Sequence, residues 1–241
     1  YIDKISNMSD NISEIISSKE VILKKAFTLA EVLITLGIIG VIAAMTLPAL
    51  INQTQGKELE TGFKKAYSVI QAAFNQMSYD EGQVINAANY PEREFMPVFK
   101  KYFKVSKDCG LHGCEQQSSQ DDDGNILYIS QTYKTYNNNP MTTRLIDDGQ
   151  IFVNDGMLIM VENIDGLIWI LVDVNGNMKK PNRLGHDLFA FQVMDNGKLL
   201  PMGANGTPYN LCSITSTHSM NGISCTYKAL TDKDYFKNLP K

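Results

Sequence analysis

Between Ala26 and Gly56 the chain carries a single charged residue, Glu31, within "FTLAEVLITLGIIGVIAAMTLPALI" (27–51). As a helix this run of about 25 residues is roughly 37 Å long at ~1.5 Å per residue. That is enough to cross a hydrocarbon core of about 30 Å with some tilt. Lys24 and Lys25 stand directly before it, which keeps the N-terminus cytoplasmic and sends the C-terminal part of the chain across the membrane. A cleaved secretory signal has an apolar core of only about 7–15 residues. The length of the run and the amphipathic pattern after it favour an anchor.

Past the run, Leu59, Phe63, Ala66, Ile70, Phe74 and Met77 recur at three- and four-residue steps, while Lys57, Glu60, Lys64, Ser68, Gln71 and Asn75 fall elsewhere on the wheel. This period predicts one half-buried helical stripe continuing the apolar segment. Pro48 lacks an N–H and is expected to kink the helix. From residue 150 the pattern turns to strands: "QIFVN", "GMLIMVE", "LIWILVDV", "LFAFQVM" and "KLLPMG". Asn154-Asp155-Gly156, Asp165-Gly166, Asn175-Gly176 and Asn196-Gly197 fall between them as hairpin turn chemistry. The expected class is α+β: a long N-terminal helix, membrane-spanning in its first half and amphipathic in its second, packed on an antiparallel sheet. The expected divisions are 27–55 and 56–85 for the two halves of the helix and 86–241 for an extracytoplasmic globular domain. Residues 86–150 carry weaker signals. "YPEREFMPVFKKYFKV" reads as a short helix with Phe95, Val98, Phe99 and Phe103 on one side, and "SSQDDDGN" (118–125) as a polar, solvated turn.

Four cysteines form two close pairs, Cys109/Cys114 and Cys212/Cys225. Outside the cytoplasm such pairs read as disulfides. Three connectivities are open, with the two local pairings preferred. Cys109, His112 and Cys114 also offer three zinc ligands, but a fourth is not evident nearby. In "DVNGNMKKPNRLGHDLFAF" (173–191), Asp173, Asn175, Asn182 and Asp187 bring four oxygen-bearing side chains to one loop. That chemistry suits calcium. It also suits a network in which Asn and Asp bond backbone amides of the turn.

A net charge of −4 with no basic stripe gives no support to a sequence-reading nucleic-acid protein. No P-loop, dinucleotide fingerprint, nucleophile elbow or His-Glu-x-x-His motif is present, and His112, His186 and His218 are scattered. An enzyme is therefore not expected.

Lys24-Lys25, Phe27-Thr28-Leu29, Glu31, the run from Val32 to Ala44 and Pro48 together resemble the N-terminal segment of type IV pilins and type II secretion pseudopilins. The resemblance is strong over 24–50 and looser beyond. It implies a cytoplasmic leader over 1–26. It also implies that a prepilin peptidase cuts between Ala26 and Phe27 and methylates the new amine. Ala26 stands where the family usually has glycine, and is small enough for cleavage to proceed. Glu31 would then be the fifth residue of the mature chain, the family's position for its glutamate.

The new α-amine on Phe27 is a cation near neutrality, with an unperturbed pKa of about 7.7–8.0. Buried together in a filament core, amine and Glu31 carboxylate offset each other's desolvation and set the stagger of subunits. The resemblance implies a single-pass inner-membrane protein that polymerises with other pilin or pseudopilin subunits on an inner-membrane assembly platform. It further implies a disulfide-bounded loop at Cys212/Cys225, and a calcium site in the loop bearing Asp173 and Asp187. Two alternatives stay open: a minor or tip pilin that binds a ligand or DNA, and a signal-anchored binding module that never polymerises.

Overall fold

The computed structural model describes residues 28–110, 119–120, 126–127, 132–164 and 166–240. The chain divides into two units, Tyr1–Ala49 and Leu50–Lys241. The expected cleavage residues Ala26 and Phe27, together with Cys114, His112 and the turn at 121–125, lie outside the described residues.

In the first unit the described residues open helix α1, Leu29–Glu81, whose 53 residues run on into the second unit and include Pro48. Leu29–Leu47 is long and apolar enough to cross a membrane. Consecutive large side chains such as Leu33, Ile34, Leu36, Ile38 and Ile39 are all exposed, so every face of this part is apolar, as in a helix whose solvent is not water. Its hydroxyls are satisfied from within: Thr35 Oγ1 donates to the Glu31 carbonyl at 2.9 Å and Thr46 Oγ1 to the Ile42 carbonyl at 2.9 Å. This bonding to the preceding turn lets threonine sit in an apolar helix without an unpaired donor.

In the second unit a six-stranded antiparallel sheet has the order β1-β4-β5-β6-β7-β8. A short helix α2, Phe95–Phe99, precedes β1, Val105–Asp108, and the two-residue strands β2, Ser119–Gln120, and β3, Ile126–Leu127, pair with each other. Then come β4 (Gln150–Val153), β5 (Leu158–Ile164), β6 (Leu167–Asp173), β7 (Leu188–Val193) and β8 (Leu199–Pro201). Helix α3, Cys225–Thr231, lies near the C-terminus. The α+β class is thus observed.

Alternation along the strands separates two cores. Val161, Ile170, Val172, Phe189 and Phe191 share one apolar cluster with Leu59, Phe63, Ala66, Ile70, Phe74 and Met77 of α1. The Phe63 and Phe189 ring centroids are 4.2 Å apart. Burying a phenylalanine of this kind stabilises by about 2–3 kcal/mol. Met160, Trp169, Leu171 and Ala190 face the other way, against Tyr133, Leu145, Ile146, Leu184, Met202 and Ile223. The sheet is therefore covered on both faces, which explains why "LIWILV" and "LFAF" are nearly continuous apolar runs.

Of the expected turns, Gly156 N–H donates to the Val153 carbonyl between β4 and β5, and Gly197 N–H to the Met194 carbonyl between β7 and β8. Asn175-Gly176 does not close a tight hairpin. It opens the long loop from β6 to β7.

Candidate functional site

Glu31 stands in the first turn of α1. Its Oε2 accepts from both the Thr28 backbone N–H and the Thr28 hydroxyl at 2.8 Å, and the Glu31 N–H donates to Thr28 Oγ1 at 3.2 Å. This reciprocal arrangement is a capping box: Thr28 is the N-cap and Glu31 the third helical residue, each satisfying a donor that the helix start leaves open. The Thr-x-x-Glu spacing is present in the sequence, but it is masked there by the more conspicuous fact of a charge in an apolar span.

Asp173 and Asp187 sit at the two ends of the β6–β7 loop, and both are fully buried. Asp173 Oδ1 accepts from the Asn175 and Gly176 amides, and its Oδ2 from the Tyr133 hydroxyl at 2.6 Å. Asp187 accepts from the amides of Asn182 and Arg183, each at 2.7 Å. Gly176 has φ +78°, and a Cβ on it would lie 2.6 Å from the Gly156 carbonyl oxygen, so a side chain there would meet the β4–β5 turn.

The loop is thus organised by the amide network that Asp173 and Asp187 accept; Asn175 and Asn182 enter it through their backbone N–H groups, and the Asn182 side chain donates to the Asn177 carbonyl. The loop's electrostatic balance is incomplete. Burial raises the Asp173 carboxyl to about 6. Burial first, and the Asp173 carboxylate second, push Asp187 well above the usual range. The side-chain oxygens of Asn175, Asn177 and Asn182 are buried with no hydrogen-bond partner among the described residues. Carboxylate and amide oxygens are the donor type that suits a hard cation such as calcium.

Cys212 and Cys225 form a disulfide, with Cys225 opening α3. The Ala190 amide donates to Thr226 Oγ1 at 2.9 Å, tying this helix to β7. Cys109 is also disulfide-bonded. His218 is exposed and its Nδ1 accepts from the Met220 amide. His186 is buried with Nε2 3.1 Å from the Tyr136 carbonyl oxygen, and burial lowers its pKa to about 4. It is neutral in the folded protein at physiological pH.

A third group is not apparent from the sequence. Asp147, Asp148 and Glu162 bring carboxylate oxygens within 4.8 Å of one another. Gly149, with φ +140°, makes the turn just after Asp148, and a Cβ there would collide with the Met96 side chain. Arg93 Nε donates to Asp148 Oδ1 at 2.9 Å, and the Asn163 amide to Asp148 Oδ2 at 2.9 Å. Burial first, then Asp147 and Asp148, raise the Glu162 carboxyl to about 8. The available signal was one acid, Glu162, in the apolar stretch "MLIMVEN", with Asp-Asp-Gly just before β4.

No family model, curated protein or solved structure matches this chain.

Proposed function

We propose that the chain is a structural subunit of a type IV pilus or type II secretion pseudopilus, processed before Phe27 and polymerised through α1. The observation that carries this reading is the change of character along one helix. From Leu29 to Leu47 it is apolar on every face. From Leu59 to Met77 one stripe is buried in the core of the second unit, while Lys57, Lys64 and Asn75 are exposed. A membrane accepts the first part before assembly, and the same parts of neighbouring subunits accept it afterwards. In this reading the second part packs on the sheet and carries the globular domain on the rod.

Glu31 has two tasks in such a subunit. Its Oε2 caps the helix, and its negative charge meets the α-amine of Phe27 when water is withdrawn. The domain lies outside the cytoplasm, where the Cys212–Cys225 bond persists. Calcium, held by Asp173, Asn175, Asn182 and Asp187 with Asn177 beside them, would neutralise the buried acids of the β6–β7 loop. Its test is the melting temperature in chelator and in millimolar calcium, compared between wild type and Asn175→Ala. An equal response in both removes the ion from this loop.

Mass spectrometry of protein from native membranes tests the main reading, which requires a mature N-terminus at Phe27 bearing one added methyl group. Glu31→Gln separates the two tasks, because glutamine still completes a capping box but carries no charge. Assembly is expected to fail while the helix start stays protected. Normal filaments from this variant would end the proposal.

A further inference from the structure

The carboxylates of Asp147, Asp148 and Glu162 differ in how they are satisfied. Both oxygens of Asp148 are committed, one to Arg93 and one to the Asn163 amide. Asp147 is exposed to solvent. Glu162 is only 4% exposed, and its Oε2 is buried with no hydrogen-bond partner among the described residues. A buried acceptor without a donor is destabilising, and a charged one more so, so this atom calls for either a proton or a cation. The Arg93 guanidinium is bound to Asp148, and the exposed Arg144 acts on Glu162 only through its charge.

We propose that Asp147, Asp148 and Glu162 bind a hard divalent cation of the calcium class. The donors are all carboxylate oxygens, with neither imidazole nor thiol among the described residues of the group to favour zinc. Exposed Asp147 provides the entry and buried Glu162 the innermost oxygen. The ion would clamp the turn before β4 to β5. It would also brace residues 90–95, since the Asn163 side chain bonds both the Phe95 amide and the Tyr90 carbonyl.

The site is separate from the β6–β7 loop. Asp173 pairs across the sheet with Leu158, whereas Glu162 pairs with Trp169. Four residues of strand, about 13 Å at ~3.3 Å per residue, part the two.

Trp169, the one tryptophan of the chain, supplies the probe. As the cross-strand partner of Glu162 its Cβ is about 5 Å from that of the glutamate. Terbium is a calcium surrogate that luminesces when an adjacent indole is excited. The experiment is a terbium titration of the whole protein, excited at the red edge of the indole band. The expected result is saturable emission that excess calcium displaces. Glu162→Gln and Asp147→Asn should each abolish it while circular dichroism and melting show a folded protein, and Asn175→Ala in the other loop should retain it. Asp147 is exposed, so its variant reads out the site even if the change at Glu162 perturbs folding. Absence of emission in wild type, or emission unchanged in either carboxylate variant, overturns the proposal. So does emission lost only in Asn175→Ala.

Discussion

Glu31 and Glu162 are each the lone acid of an apolar run, one in a helix and one in a strand, and they meet opposite fates. Residues three apart on a helix are neighbours, so Glu31 finds Thr28 without help from the rest of the chain and bonds it twice through Oε2. In a strand the nearest side chains on the same face are two residues away. For Glu162 these are Met160 and Ile164, and neither can donate a hydrogen bond. Its companions are Asp147 and Asp148, brought in by the turn that precedes β4, and they share its charge. An acid in a helix is satisfied by its own segment, whereas an acid in a buried strand depends on the fold.

Asp187 sharpens this comparison most, because it is a buried acid whose oxygens are both met by amides. Asp187→Ala leaves the Asn182 and Arg183 amides without acceptors and is expected to cost about 3 kcal/mol, read by urea denaturation. Glu162→Gln should cost far less. A larger loss at Glu162 than at Asp187 would break the contrast between the two acids.

Next in size is pH. Glu162 titrates near 8 in the folded protein, above about 4.3 for an unfolded glutamate. Between these values the folded state holds a proton that the unfolded chain lacks, so stability falls as pH rises. His186, with a folded pKa near 4, acts in the opposite direction, but only below about 6.5. From pH 6.5 to 8 in chelator, wild type should therefore lose up to about 2 kcal/mol that Glu162→Gln keeps. Equal slopes for the two proteins would mean that burial beside Asp147 and Asp148 does not raise the Glu162 carboxyl.

A smaller effect belongs to the helix start. Thr28→Ala removes the hydroxyl at the centre of the capping box and should speed amide exchange in the first turn of α1 by a few-fold. Exchange in β5 should not change, since the two acids lie in separate units. At the bottom of the scale is Lys65, 2.8 Å from Asp155 and more than half exposed. Lys65→Ala should shift stability by less than about 1 kcal/mol, and a thermal melt would show whether a surface pair matters as little as this.

The helical stripe from Leu59 to Met77, the strand runs after residue 150 and the Cys212/Cys225 pair were legible because each rests on local period or spacing. In the Asp173–Asp187 loop the residue types were legible. Its amide bonds, and the part taken by Asn177 and Tyr133, were not, because these depend on how the loop folds back. Met96 shows the same limit. The sequence pattern put Phe95, Val98 and Phe99 on the inner side of a short helix, yet Met96 is buried as well, held against Gly149 of a distant turn.

The chain alone determined that a long apolar helix with one glutamate near its start runs into an amphipathic stretch, since both stem from a repeat of 3.6 residues and from hydropathy. Only the tertiary structure decided that Asp147, Asp148 and Glu162 share one small volume. Strand neighbours on a face are set by pairing register and by the turns between strands, and neither is encoded within the few residues around any one of these acids.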